Sequence, residues 1–311
     1  MPALGAVGEG LVELGLEPPP GQVVALGFGG DAPNAAVMAA LLGCPSRIGG
    51  RVGDDALGRR LLGFWRDAGV DTTHVVVDPQ RPTGIYVNEH GSEGPGRFDY
   101  HRRDSAGASL EPADLDDGFF RDLGALHVTG ITLAVSASSR AAAQAAVGRA
   151  RTAGALVSLS VNHRPALGAP ADHVAALARD ADVVFVAADE AHAVFGSAGE
   201  SALAEALGGV PEVVLTLGAG GCVLLASGAR TAAPALEVEL VDAAGAGDAL
   251  AGAYLATRLA GGTPAEALTV GSTAAGLSCR ARGCALSYPG RDEVERLLPS
   301  SPGRSAGAGS L

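Results

Sequence analysis

Asp242-Ala243-Ala244-Gly245-Ala246-Gly247-Asp248 stands between a β-like run, Val238–Val241, and an alanine-rich stretch of helical spacing, Ala249–Leu259. Glycine at 245 and 247 lets backbone N–H groups turn inward, and such groups at a helix N-terminus attract anions. Asp248 ends the cluster, where a carboxylate can take a proton from an attacking hydroxyl. A general base beside an anion cradle is what phosphoryl transfer to an alcohol requires. Taken alone, the same residues also describe a tight turn and a helix cap, because aspartate is common in a first turn.

Outward from this segment, short β-branched runs alternate with alanine-rich stretches. Ala125–Thr129, Ala155–Val161, Asp182–Val186, Glu212–Leu217 and Cys222–Leu225 read as strands, and Ser136–Ala153 reads as a helix opened by serine. Strands apolar on both faces and separated by helices predict the α/β class, with a mostly parallel sheet flanked by helices. Ligands of such sheets gather at the carboxyl ends of the strands. Two regions break the rhythm. Gly15–Gly30 is rich in Gly and Pro around a candidate strand, Gln22–Leu26. Thr83–His101 carries two alternating segments, Ile85–Glu89 and Arg97–His101, about the turn-like residues 91–96, and predicts a hairpin. Pro299–Leu311 is Ser, Gly, Pro and Ala with one arginine, which predicts a disordered tail after a single folded domain over 1–298.

Composition narrows the chemistry. The net charge of −12 over 311 residues argues against nucleic acid or an anionic membrane as a partner over a broad surface. The sequence contains no lysine, so all 22 basic residues are arginine. That excludes a Walker-A lysine, a protein-kinase strand lysine and Schiff-base chemistry. A bound phosphate or carboxylate must then be held by arginine, backbone N–H groups, a helix N-terminus or a metal ion. The four cysteines (44, 222, 279, 284) form no C-x-x-C pair, so zinc is not expected and all four read as reduced thiols. No window has the uninterrupted apolar length of a membrane span, and the N-terminus lacks a signal pattern. A soluble, cytoplasmic protein is expected.

The opening segment resembles the second signature, D-x-x-G-A-G-D, of the ribokinase-like carbohydrate kinases (the phosphofructokinase-B group). Gly29-Gly30-Asp31-Ala32-Pro33-Asn34-Ala35-Ala36 resembles the first, and the likeness runs to about Leu298. It implies a ribokinase-like fold with a small β-sheet lid, from about Leu11–Phe28 and Thr83–Arg102. It implies ATP and Mg²⁺, and admits a monovalent cation. Asp248 is implied as the base, with Gly245, Ala246 and Gly247 giving N–H groups to the transferring phosphate, and Gly29, Gly30 and Asn34 bordering the sugar. Thr216-Leu217-Gly218-Ala219-Gly220-Gly221 is similar to the family's T-x-G-x-x-G turn, which implies Thr216, Gly218 and Gly221 beside the nucleotide, together with Ser272. As bare sequence that turn is equally a hairpin connection. Glu190, in Ala187-Ala188-Asp189-Glu190, is similar to the end of N-x-x-E and is implied as an indirect magnesium helper through water. A loose G-x-G-x-x-A at Gly27–Ala32 suggests a dinucleotide fold, but it follows a Pro-rich segment instead of a βαβ strand.

Smaller marks occur in order: Thr83-Gly84-Ile85-Tyr86, Tyr100-His101-Arg102, Ser105-Ala106, His127–Thr132 and Val161-Asn162-His163-Arg164. Together they resemble the 2-keto-3-deoxygluconate kinases, which implies that Gly30, Tyr86, Tyr100, Arg102 and Arg164 bind a sugar acid. Arginine's planar fork suits a carboxylate; the plainer alternatives are hairpin packing for the tyrosines and a solvated strand face for Arg102. Ser160, Ala187, Leu217, Ala243 and Ala244 depart from the family's pattern. The expectation is an ATP-dependent kinase acting on a hydroxyl of 2-keto-3-deoxygluconate or a similar sugar acid. The alternatives are a neutral-sugar or nucleoside kinase and a non-catalytic sugar-binding relative. A homodimer through the lid hairpin is also expected.

Overall fold

The computed structural model describes residues 1–16, 25–89, 97–168, 171–196 and 199–298. The first seven strands are β1 (Ala3–Val7), β2 (Gly10–Leu16), β3 (Ala25–Gly30), β4 (Ser46–Gly53), β5 (Val70–Asp71), β6 (Val75–Asp78) and β7 (Ile85–Glu89). The rest are β8 (Arg97–His101), β9 (Leu123–Thr129), β10 (Leu156–Ser160), β11 (Val183–Ala187), β12 (Glu212–Thr216), β13 (Cys222–Ala226) and β14 (Ala229–Ala233). The large sheet runs β14-β13-β12-β11-β10-β9-β1-β4-β5, with β6 also paired to β4. From β12 to β5 every pairing is parallel, and β13 and β14 close one edge antiparallel. The central strands are buried on both faces, because helices cover each side.

The five strands and the helix predicted from sequence are present, with ends shifted by one or two residues. Ser136 caps its helix as expected, accepting a bond from the Ser139 N–H. Val238–Val241 is not a strand. The Val241 and Asp242 N–H groups instead bond the Cys279 carbonyl at 2.9 and 3.2 Å, which holds this run along a neighbouring helix end without a strand partner.

A second, small sheet runs β3-β2-β7-β8. The predicted hairpin is here, with Tyr86 opposite Tyr100 and Ile85 opposite His101. Strand β3 overlaps the predicted Gln22–Leu26 at Ala25 and Leu26; the first three residues of that prediction lie outside the described set, as do 91–96 and the predicted tail 299–311. The glycine pattern at Gly27–Ala32 follows β2 antiparallel, so no βαβ unit precedes its helix.

Two helices fix one end of the cleft. Ala32–Leu41 and Ala246–Leu259 pack closely because Gly252 faces the Ala35 carbonyl, where a Cβ would stand 2.3 Å from the oxygen. That approach brings the first turns of both helices together, and with them Asn34 and Asp248. Among the described residues, no helix is long and apolar enough to cross a membrane, and the four cysteines are free.

Candidate active site

A cleft of about 1040 Å³ lies between the small sheet and the carboxyl ends of β9 to β12. That is where an open parallel sheet gathers its ligands. Of the residues singled out in the sequence, Gly30, Asn34, Tyr86, Tyr100, Arg164, Glu190, Thr216, Gly245, Gly247 and Asp248 line it. Gly29, Arg102, Gly218, Gly221, Ala246 and Ser272 do not.

At the end where a phosphate was expected, Gly245 caps the helix Ala246–Leu259 in the left-handed region, at φ 80°. A Cβ there would meet the Cys284 thiol at 2.7 Å and the Tyr288 hydroxyl at 2.8 Å, so glycine is required for both backbone and space. Gly247 differs, because a Cβ on it would meet nothing within 4 Å. Its bare Cα leaves open a space that a ligand can fill. The first i−4 bond of the helix is made by Ala249, which leaves the Gly247 and Asp248 N–H groups in the unpaired first turn. The Ala246 N–H is committed to the Ala243 carbonyl at 3.2 Å, so it is not one of the cradle's donors as expected.

Asp248 is buried, and its Oδ2 accepts a 2.8 Å bond from Asn34 Nδ2. Burial pushes its carboxyl up to about 7, opposed mainly by the Asn34 bond and reinforced by the charge of Asp31. A carboxylate poised near neutrality is suited to act as a base. Two carboxylates, Asp189 and Glu190, stand across the cleft. Glu190 accepts from Arg164 at 2.9 Å and from the Ala187 N–H at 3.3 Å, so the segment keeps its cap without an asparagine at 187. Asp242 accepts from the Ala244 N–H through Oδ1, while its Oδ2 is buried without a partner. That orphaned oxygen is a place for a cation. Among the described residues, no cluster of three His, Cys, Asp or Glu side chains is set to hold one.

At the other end, Tyr86 donates to Glu13 at 2.5 Å, and Asn88 donates to the same carboxylate at 3.0 Å. Gly29 lies against the Tyr86 hydroxyl, 2.6 Å from where a Cβ would stand, so its role is close approach within the sheet. Gly30, at φ 142°, backs onto the Glu9 carbonyl. Arg102 departs most from expectation. Its guanidinium is ion-paired with buried Glu9, which also accepts from Ser105 at 2.7 Å, and it sits 5.7 Å behind the Tyr100 ring. It is 11% exposed, against 47% for Arg164. Of the residues expected beside a nucleotide, Thr216 reaches the cleft at the end of β12, but Ser272 is buried and bonded to the Pro234 carbonyl at 2.8 Å. Gly218 and Gly221 form the predicted β12–β13 connection, both at positive φ.

The sequence profile of the pfkB family carbohydrate kinases matches residues 11–291. The chain belongs to that family. It is an ATP-dependent carbohydrate kinase. The chain is 34% identical to a 2-dehydro-3-deoxygluconokinase of Thermoproteus tenax, over 96% of this chain and 94% of the other. It is 31% identical to a 2-dehydro-3-deoxygalactonokinase of Haloferax volcanii, over 91% and 93%. A Vibrio cholerae fructokinase solved with fructose, ADP and calcium superposes with a TM-score of 0.85 at 26% identity, covering 96% of this chain and 99% of that one.

In this pfkB kinase, several residues at the cleft carried no role from sequence. Asp31 stands at the N-cap position of the first helix with its side chain turned to other partners, accepting from the Glu9 N–H, Thr129 and Thr132 at 2.8–3.0 Å, which explains the threonines of the His127–Thr132 mark. Glu13, Asn88 and Glu9 join strands far apart in the chain, and no local pattern announces such contacts. Asn162 was visible inside Val161–Arg164 but carried no role.

Proposed function

We propose that this kinase phosphorylates a hydroxyl of 2-keto-3-deoxygluconate or a closely similar sugar acid. The observation that carries the chemistry is Asp248, anchored by Asn34 at the mouth of a helix N-terminus whose Gly247 position is bare. The acceptor hydroxyl gives its proton to Asp248, its oxygen forms the bond to the transferred phosphorus, and ADP leaves. The Gly247 and Asp248 N–H groups receive the charge on the transferred phosphoryl oxygens. Magnesium bound with the nucleotide neutralises phosphate charge. Asp189 and Glu190 are the side chains to hold it, Glu190 through water, since magnesium usually keeps several waters and few protein ligands. The partnerless oxygen of Asp242 supports a second, monovalent cation there. Closure of the small sheet over the acceptor keeps water from competing.

Support for the sugar acid comes from the names of the two relatives and from Arg164, whose fork lies in the cleft. One observation favours a neutral sugar instead: the Arg102 guanidinium, expected to hold a carboxylate, is already paired with Glu9. A coupled ADP-release assay comparing 2-keto-3-deoxygluconate with fructose, ribose and adenosine decides between them. The sugar acid is expected to be preferred, with the preference shrinking in Arg164→Ala. Preference for fructose or a nucleoside in the parent protein contradicts the substrate assignment and leaves the kinase assignment standing. We also propose a homodimer through β8, an exposed edge strand; a monomer mass by light scattering contradicts it.

A further inference from the structure

We propose that Asn162 is a positioning residue for phosphoryl transfer, its carboxamide spanning the base on one side and the cleft's guanidinium on the other. Its Nδ2 donates to Asp248 Oδ1 at 3.5 Å, and its Oδ1 accepts from Arg164 Nη2 at 3.2 Å. Arg164 in turn donates to Glu190 at 2.9 Å. One side chain thus links the residue that receives the proton to the carboxylate segment across the cleft, and all four residues line that cleft. The 3.5 Å bond is long, as hydrogen bonds at catalytic groups often are before substrate binds.

The backbone supports the same role. Asn162 stands just after β10 at φ 38°, in the left-handed region where a residue with a Cβ is uncommon. Glycine meets the backbone demand without strain, and asparagine is tolerated there because its short side chain bonds locally. Here one bond is local, accepted from Arg164 two residues on, and the other reaches Asp248, 86 positions away. With Oδ2 of Asp248 held by Asn34 and Oδ1 by Asn162, the carboxylate cannot rotate about its terminal bond without losing a partner. An amide is the group that does this, because it donates to one charged neighbour while accepting from the other. Aspartate would keep the arginine and repel the base.

The role rests on Asp248 acting as the base, and the test separates the two. Asn162→Gly keeps the backbone conformation and removes only the carboxamide, so the folded protein is expected to survive. Its kcat is expected to fall about tenfold, in line with a lost bond to a charged group, while the sugar KM stays within about twofold. The other charged or titratable groups around Asp248 are Asp31, Arg164, Tyr100, Cys284 and Tyr288, and none changes in this variant. The Asn162 bond holds the carboxyl down, so the acid limb of kcat/KM is expected to move to higher pH in Asn162→Gly. It is expected to move further in Asn162→Asp, where an anion replaces the donor. A purely structural turn does not produce that order. Wild-type kcat and an unmoved acid limb in Asn162→Gly overturn the proposal. Asp248→Asn, measured beside it, tells the failures apart. Turnover lost there but intact in Asn162→Gly sinks only the positioning role, whereas turnover retained in Asp248→Asn sinks the base assignment itself.

Discussion

The two ends of the cleft handle polar groups in opposite ways. At the helix N-terminus, donors and a carboxylate face open space: Gly247 is bare, and Asp248 is held by the neutral Asn34. At the small sheet, the polar groups are spent on one another, Glu9 on Arg102 and Ser105, and Glu13 on Tyr86 and Asn88. Glu9 also ties its N–H to Asp31 and lies against Gly84 and Gly107. The crossings between the two sheets therefore meet at this one residue. The contrast assigns different costs to similar substitutions: groups at the first end are kept ready for a ligand, and groups at the second keep the cleft in shape.

Arg102→Ala gives a large stability effect, because it strands the buried Glu9 carboxylate. Breaking a buried pair on one side costs on the order of 3 kcal/mol. Chemical denaturation should show that loss, while Arg164→Ala, on a half-exposed residue, should stay within about 0.5 kcal/mol of the parent. Equal stability in both variants would erase the contrast between the ends.

A smaller effect sharpens the picture within the phosphate end. Gly245→Ala forces a Cβ into the left-handed region and against Cys284 and Tyr288, at a cost of about 1–3 kcal/mol. Gly247→Ala adds a methyl group to open space inside a helix, so melting temperature should hold or rise slightly while turnover falls. If Gly247→Ala keeps full turnover, the bare position is not where phosphate sits.

A further effect is electrostatic. Burial raises the Asp248 carboxyl from 3.8 to about 7, so this group favours the folded state most below 3.8, and that contribution fades as pH rises through about 7. Asp248→Asn should therefore melt higher than the parent above pH 7, and the gap should close on acidification. A constant gap across pH would mean that the carboxyl is not perturbed.

The phosphate end was legible in the sequence because it is local. Seven consecutive residues, Asp242–Asp248, carry the turn and the proposed cradle and base, and the glycines point to it. The strands were legible for a similar reason, since runs such as Val183–Ala187 are apolar on both faces. The small-sheet end was only half legible. Its hairpin shows in the alternation of Ile85–Glu89 and Arg97–His101, but the partners of its polar residues lie 73 to 96 positions away. The ion pair of Arg102 was not legible for that reason: nothing near it in the chain reveals Glu9. Val238–Val241 alternates like a strand, but the tertiary packing offers it the Cys279 carbonyl in place of a neighbouring strand.

The central claim is that Asp248 is the base that turns this cleft into a kinase. The direct measurement is the turnover of Asp248→Asn against the parent as a function of pH, with nucleotide affinity followed by calorimetry. The parent should show kcat/KM rising with pH through about 7, as the buried carboxyl loses its proton. The variant should bind ATP as the parent does, lose turnover by about 10²–10⁴-fold, and show no such rise. Turnover in the variant above about a tenth of the parent's, with the same rise through neutrality, would contradict the account.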